Sequence, residues 1–392
     1  MTIRTTAILA SRILTPLIDI RDGVILVEDS KITAVGNRDN VTVPQGARTI
    51  DESQRIVVPG FIDLHHHGAM GHYNGESVEG TRKIAGFLAQ TGTTGWLPTV
   101  RTFDSIRTIV EVTKTGTDAA QILGIQMEGP YQAPKKVEGF EKLDSDIHRP
   151  SVREYHEFLE AAQGQLKIIT VAPEVEGGLE LISEVRRTGV IPAIGHSFAT
   201  YEQFIHAVEL GASHVTHVFQ VMGLMHMRRP GVVGGALTCD QVTGELIADG
   251  VHNHPAVMEV LLRCKGPDKT AIITDMTQLA GMPDGEYASR KGLKVVKKGM
   301  VSRVAGSTEA QDYTIAGSVC TMDHNLRFLV DRMNVPLATA VRMASLTPAR
   351  IIGLHNRKGS IEVGKDADLV AIDEHVNVYL TMVGGEVVYQ AA

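Results

Sequence analysis

The sequence predicts a (β/α)8 TIM-like barrel with a small β-sandwich domain formed by the N- and C-terminal segments. Eight short apolar runs, each followed by a stretch with helical spacing, occupy the middle of the chain. Strand-like alternation with tight turns occupies both ends. A length of 392 residues accommodates a barrel of roughly 250 residues and a smaller companion. We therefore predict a small domain from residues 1–57 plus 356–392, and a barrel from residues 58–355.

The two terminal segments carry the strand signals of the small domain. Residues 1–57 alternate apolar and polar positions and break at residues 21–23 and 29–31, as short strands joined by tight turns do. Residues 359–372 and 376–388 read the same way, with a turn at Gly384-Gly385. Because each segment is only half of a sheet, we expect the two halves to pair.

The central apolar runs supply the barrel strands. They cover residues 61–67, 93–100, 122–129, 167–174, 191–197, 214–219, 245–250 and 270–275. Between two of them, residues 200–210 show helical spacing and end at Gly211. Residues 285–300 predict a hairpin insertion after the eighth run, followed by helices that end near Leu354. Eight βα units imply a closed barrel.

Composition narrows the class of protein. The net charge of -7 argues against nucleic acid as a partner, which needs a clustered basic face. No window approaches the roughly 20 apolar residues that span a bilayer, and the first residues lack a signal peptide pattern. Three scattered cysteines, Cys239, Cys264 and Cys320, fit a reducing compartment. We expect a cytoplasmic protein that acts on a small molecule, without a nucleic-acid or membrane partner.

Ionisable side chains end five of the eight runs, where the strands of such a barrel carry its functional residues. His65 and His67 are two apart and share one face of an extended chain, whereas His66 points to the other face and packs. The remaining candidates at strand ends are Glu128, His196, His217 and Asp275. A single histidine near a strand end is usually a packing residue, but burying this whole set without a cation would cost several kcal/mol. We predict a divalent metal centre, with zinc, iron, manganese or cobalt all compatible.

Asp275 and two further residues have two interpretations each. Asp275 can take a proton from the attacking water and pass it to a leaving amine, or it can cap a helix. Arg228 lies after the sixth run and can hold a phosphate or carboxylate of the substrate, or form a surface ion pair. His252 follows the seventh run and can donate to the substrate, or can be an ordinary loop histidine.

Two motifs then resemble the opening and closing signatures of the amidohydrolase superfamily: VPGFIDLHHHG at 58–68 and GKDADL at 364–369. Within it, the order of TTGWLPT at 93–99, MEGP at 127–130, GHS at 195–197, IADGVH at 247–252 and Thr274-Asp275 is most similar to the N-acetylglucosamine-6-phosphate deacetylase family. The resemblance spans nearly the whole chain. It implies hydrolysis of the N-acetyl amide of an amino-sugar phosphate, in a homodimer.

The resemblance also assigns roles at the metal centre. It implies that Glu128 replaces the bridging carboxylated lysine of many relatives, and that His196 and His217 complete the metal shell. It implies that Asp275 is the general acid/base. Because members that keep both histidines of H-x-H tend to hold two ions, His65 and His67 imply two metals per subunit.

Three departures from the family pattern concern the substrate. The segment Gln220-Val221-Met222 stands where the family has Asn-Ala-Met, whose asparagine helps to hold the sugar phosphate. Phe140 lies near the place where some members carry a histidine that polarises the acetyl carbonyl, and residues 276–281 depart modestly from the family pattern. The alternatives are therefore a gluco- or galacto-configured sugar phosphate, an N-acyl amino acid or cyclic amide held by Arg228, and a non-catalytic ligand-binding barrel.

Overall fold

The structure is a computed structural model that describes residues 5–134, 147–289, 292–307 and 315–391. Its strands, in chain order, are β1 Thr5–Leu14, β2 Asp19–Glu28, β3 Lys31–Asn37, β4 Arg48–Pro59, β5 Phe61–His66, β6 Gly68–Ala69, β7 His72–Tyr73, β8 Thr93–Val100, β9 Gln121–Ile122, β10 Ile125–Glu128, β11 Leu166–Val171, β12 Ile191–Ile194, β13 His214–Val215, β14 Thr243–Ile247, β15 Thr270–Ile273, β16 Gly285–Ala288, β17 Lys294–Lys298, β18 Val301–Val304, β19 Leu369–Ile372, β20 Val378–Val383 and β21 Glu386–Gln390. Its helices are α1 Val78–Gln90, α2 Phe103–Thr115, α3 Val152–Ala162, α4 Gly178–Arg187, α5 Tyr201–Glu209, α6 Gly231–Thr238, α7 Pro255–Lys265, α8 Met322–Met333, α9 Leu337–Ala344 and α10 Leu346–Ile351.

Eight parallel strands form the barrel wall in the order β5-β8-β10-β11-β12-β13-β14-β15, and a helix separates each from the next along the chain. Backbone bonds from Asp275 N to His65 O, 2.9 Å, and from His67 N to Met276 O, 2.7 Å, join the first strand to the end of the last. The buried Asp63 carboxylate also accepts from Thr274 Oγ1 at 2.5 Å. The predicted barrel is therefore confirmed.

The barrel strands are buried along their length, which explains why they appear in the sequence as continuous apolar runs rather than alternating ones. All eight residues of β8 are buried. Several strands end earlier than the runs that predicted them. β13 stops at Val215 because the chain then leaves the extended conformation, with φ of 26° at His217 and 79° at Phe219. These bends turn the next side chains toward the mouth of the barrel.

The two ends of the chain meet in one seven-stranded sheet, in the order β21-β20-β19-β4-β1-β2-β3. The C-terminal strands join through β19, which runs antiparallel to β4. Ile8 and Ile25 from the N-terminal half share an apolar cluster with Leu369 and Leu380 from the C-terminal half. The two halves thus pair in one sheet and share an apolar cluster, which confirms the expected pairing. The division of the chain at residues 57/58 and 355/356 stays a prediction.

Smaller features also follow the sequence. Thr200 caps α5 through a capping box with Gln203, and Gly211 follows the helix with a φ of 116°. The segment after the eighth barrel strand forms a three-stranded antiparallel sheet, β16-β17-β18, in place of further barrel. Across the described ranges, no helix combines the length and the apolar character needed to cross a membrane.

Candidate active site

Six ionisable side chains converge at the carboxyl ends of the barrel strands. His65 and His67 come from the end of β5 and just beyond it, and Glu128 is the last residue of β10. The other three, His196, His217 and Asp275, follow β12, β13 and β15. These three residues have positive φ values of 46°, 26° and 48°, a conformation that costs a non-glycine residue energy and is typical of functional sites. The structure therefore brings together every metal-ligand candidate of the sequence.

Glu128 lies at the middle of the cluster, and its side chain is only 4% exposed. Its Oε1 is 2.6 Å from His196 Nε2 and 2.9 Å from His217 Nε2. His65 Nε2 lies 3.7 Å from the same oxygen, whereas His67 Nε2 lies 3.5 Å from Oε2. One carboxylate thus faces four imidazole rings, two of them closely.

Asp275 completes the cluster beside the two paired histidines. Its Oδ1 is 3.2 Å from His67 Nε2 and 3.6 Å from His65 Nε2. Burial raises the pKa of Asp275, but the hydrogen bond with His67 and the charges of His65, His67 and His217 outweigh it and bring the pKa to about 2. Asp275 is therefore an ionised carboxylate at neutral pH, which is the form that accepts a proton.

The side chains fit a divalent cation. Two groups of three, His65-His67-Glu128 and Glu128-His196-His217, each place their ligand atoms within 4.8 Å of one another. The buried Nε2 of His65 has no hydrogen-bond partner among the described residues, although it points toward Glu128 and Asp275. The Nε2 atoms of His196 and His217 lie 3.1 Å apart, and both are within 2.9 Å of Glu128 Oε1, so these three atoms are close enough to bind one cation. Imidazole and carboxylate donors suit zinc and the other first-row divalent ions.

A carboxylate that was not predicted from the sequence orients this set of ligands. Glu245 is fully buried in β14, and its Oε2 is 2.9 Å from His65 Nδ1 and accepts from the backbone N–H of His217 at 2.9 Å. Its Oε1 is 3.1 Å from His214 Nε2. A carboxylate behind a ligating histidine fixes the tautomer and the ring orientation. The available signal was a glutamate inside an otherwise apolar barrel strand.

Arg101 is the second residue that sequence reasoning missed. It directly follows β8, and its Nη2 contacts Glu128 Oε2. Its side chain is 29% exposed. The signal was again available: a cation stands immediately after a barrel strand, where functional side chains lie.

His66 packs rather than joining the cluster, in keeping with its expected orientation. Its ring stacks on Trp96 with the centroids 4.6 Å apart. Burial lowers the pKa of His66 well below its ordinary value, with the charges of His67 and His65 acting in the same direction. A neutral, stacked imidazole is a packing residue.

The proposed substrate contacts lie in the loops beyond the metal-ligand cluster. The His252 ring is bonded to Asp249 Oδ2 at 2.6 Å. Burial lowers the pKa of His252, but this bond and the charges of Asp249 and Asp275 raise it overall. The Gln220 amide donates at 3.0 Å both to the His252 carbonyl and to Asn253 Oδ1, which holds this loop in place.

The remaining residues that the sequence suggested for substrate binding are Val221, Arg228 and Phe140. Val221 has a φ of 49°, which is strained for a β-branched residue. Arg228 is exposed, in a loop where Leu224 and Met227 are 94% and 84% exposed, and its backbone N–H donates to the ring of His226. Phe140 lies outside the described residues.

Comparison with known proteins places this cluster in a family. A model of the amidohydrolase family matches residues 56–388. An N-acetylglucosamine-6-phosphate deacetylase of Lysinibacillus sphaericus is 34% identical over 92% of this chain and 92% of its own length. An N-acetylgalactosamine-6-phosphate deacetylase of Escherichia coli O157:H7 is 34% identical over 86% of this chain and 88% of its own. The solved N-acetyl-D-glucosamine-6-phosphate deacetylase of Mycobacterium smegmatis, in complex with N-acetyl-D-glucosamine-6-phosphate, has a TM-score of 0.88 at 29% identity and covers 99% of this chain and 100% of its own. The chain therefore belongs to the amidohydrolase family and is a hydrolase.

Proposed function

We propose that this protein hydrolyses the N-acetyl amide of an amino-sugar phosphate, releasing acetate and the free amine. The observation that carries the proposal is the convergence of four histidines and two carboxylates at the barrel mouth, with an ionised Asp275 beside His67. Relatives of this chain with 34% identity carry this activity on two sugar epimers. N-acetylglucosamine-6-phosphate is the first candidate substrate, and N-acetylgalactosamine-6-phosphate is the second.

The residues of the cluster have two separate roles in the proposed hydrolysis, metal binding and proton transfer. When bound, a divalent ion lowers the pKa of the attacking water and polarises the acetyl carbonyl. His65, His67, Glu128, His196 and His217 would hold it. The Asp275 carboxylate accepts the proton of the water as it attacks and then donates it to the departing amine, so that one group serves as base and acid. The histidines beside it keep it ionised until that step.

Substrate binding is assigned to the loops around the mouth. His252 favours its protonated form because of Asp249, and an imidazolium suits a phosphate. Gln220 and Val221 would shape the wall next to it, since Gln220 is anchored to the His252 carbonyl. Arg228 supplies an exposed guanidinium in the neighbouring loop for the same anion.

The metal content, assembly and compartment are part of the proposal. Two donor groups share Glu128, which supports two ions per subunit, and their nitrogen and oxygen atoms suit zinc. The exposed apolar loop with Leu224, Met225 and Met227 supports a homodimer, because such patches commonly mark protein contacts. The scattered cysteines support a cytoplasmic location.

The test pairs a substrate panel with one substitution. The purified protein is assayed for amine release from the two N-acetylhexosamine 6-phosphates, from unphosphorylated N-acetylglucosamine, and from N-acyl amino acids. Asp275→Asn should reduce kcat at least about 1,000-fold, within the range for loss of a group that acts as both base and acid, while the metal content stays nearly intact. Full activity in that variant would refute the role of Asp275. A preference for N-acyl amino acids would refute the substrate.

A further inference from the structure

The two oxygens of Glu128 face different surroundings. Oε1 is in close contact with the Nε2 atoms of His196 and His217, at 2.6 and 2.9 Å. Oε2 faces His67 Nε2 at 3.5 Å and is in direct contact with Arg101 Nη2. The two groups of metal-ligand candidates therefore differ, because the Glu128 oxygen that faces His67 already has a cationic partner and the oxygen that faces His196 and His217 does not have this one.

Toward a metal ion, Arg101 acts as a competing cation at this place. A guanidinium stays protonated at every accessible pH and offers no lone pair, so it cannot be a metal ligand. Its charge repels a divalent ion that approaches Oε2, and the low-dielectric surroundings of the 4%-exposed Glu128 strengthen that repulsion. Arg101 Nη2 donates to Glu128 Oε2, and the Arg101 side chain is 29% exposed, so the protein encloses it only in part.

We infer that Arg101 competes with a second metal ion for Glu128 Oε2, so that the two ion positions differ in affinity. The position formed by Glu128 Oε1, His196 and His217 fills first. The position formed by His65, His67 and Glu128 Oε2 fills only when the guanidinium moves away. This inference rests on the metal centre proposed above and adds an order of filling that is set by one arginine.

The experiment is a metal titration of the full-length protein after removal of metal by a chelator. Co²⁺ is the probe, followed by its visible absorbance and by calorimetry, which give the stoichiometry and the dissociation constant of each step without reference to activity. Wild type should bind one ion tightly and a second weakly. Arg101→Met and Arg101→Gln, which remove the charge, should each tighten the second step by about tenfold or more and leave the first within about threefold.

Two further variants isolate the cause. Arg101→Lys keeps the positive charge and should retain a weak second step. Arg107→Met removes an arginine of α2 whose side chain is 67% exposed and pairs with Asp104, and it should titrate like wild type. Circular dichroism identifies any variant that fails to fold, and the Met and Gln variants substitute for each other in that case.

The outcomes separate the two proposals. Two equal steps in wild type, or a second step unchanged in both neutral variants, would overturn the role of Arg101 while leaving the metal centre in place. An Arg101→Lys variant that behaves like Arg101→Met would also overturn it, because the charge would then not be the cause. Absence of any tight Co²⁺ binding in wild type would instead refute the metal centre itself.

Discussion

Replacing Glu245 by glutamine tests whether the cluster is held in place from behind. The Glu245 side chain is 0% exposed, and three polar hydrogen-bonding groups surround it: His65 Nδ1 at 2.9 Å, the His217 backbone N–H at 2.9 Å and His214 Nε2 at 3.1 Å. Glutamine keeps the shape of the side chain but removes the charge. It also turns one acceptor oxygen into a donor, so one partner must change its tautomer or lose its bond.

The expected loss of folding stability in Glu245→Gln follows from these three contacts. A hydrogen bond to a charged acceptor stabilises a folded protein by roughly 1 kcal/mol more than a neutral one. Three such bonds to Glu245 predict a loss of about 3 kcal/mol, provided that the site does not relax. The same bonds orient His217, which belongs to the first ion position, and His65, which belongs to the second. The affinity for each ion should therefore fall about 10- to 100-fold.

The assay compares urea unfolding of the chelator-treated protein with a Co²⁺ titration of the same preparation. Glu184→Gln is the matched control, since Glu184 also contacts a histidine, His156 Nε2 at 2.9 Å, but at the surface, where that histidine is 49% exposed. The control should lose at most about 1 kcal/mol and keep its metal affinity. If Glu245→Gln behaves like this control in both measurements, the orienting role of Glu245 is wrong.

Three further predictions test other parts of the molecule. Burial lowers the pKa of His252, but its bond with Asp249 raises it overall, so the ring stays charged to a higher pH than that of an ordinary histidine. KM for a phosphorylated substrate should therefore rise as pH increases through the pKa of His252, and Asp249→Asn should move that rise to lower pH. Identical KM profiles in the two proteins would contradict this prediction. A Cβ on Gly195 would lie 2.6 Å from the Cβ of Thr216. Gly195→Ala should therefore lower the free energy of unfolding in urea by about 1–3 kcal/mol and weaken metal binding at the adjacent strand end. An unchanged urea midpoint would show that the backbone around Gly195 shifts to accommodate the methyl group. Burial raises the pKa of Asp366, but its lysine and arginine partners lower it overall. The stability that Asp366 contributes is therefore present above the unfolded pKa of about 3.9 and is lost as pH falls below it. Asp366→Asn should lower the urea midpoint at pH 7, and the difference from wild type should shrink toward pH 3; a constant difference would refute the ion-pair explanation.

Local sequence determined much of the fold. Eight apolar runs predicted the eight barrel strands because strands buried on both faces need apolar side chains at consecutive positions. The alternating segments at the two ends predicted a shared sheet because a half-buried strand has a period of two. Strand ends were less well predicted. The extra residues of the 214–219 run turn out of the strand through positive φ values at His217 and Phe219, and apolar character does not encode that bend.

The sequence alone also predicted the six residues of the metal-ligand cluster. His65, His67, Glu128, His196, His217 and Asp275 stood at the ends of apolar runs, and parallel strands in a closed barrel bring such ends to one face. The supporting groups could not be found this way. Glu245 lies inside a strand, and its importance depends on two histidines from other strands that reach it only after the barrel closes.

Tertiary structure alone decided how the charges of the cluster are shared. Whether Arg101 points to solvent or to Glu128 depends on where β8 and β10 lie beside each other, since 27 positions separate the two residues along the chain. The same holds for the effect of Asp275 on the charge of His252, because the two residues follow different barrel strands, β15 and β14. Residue types and their periodicity determine which groups are buried at the barrel mouth. Electrostatic interactions act through space, so only the folded chain decides which oxygen of Glu128 meets a histidine and which meets the guanidinium.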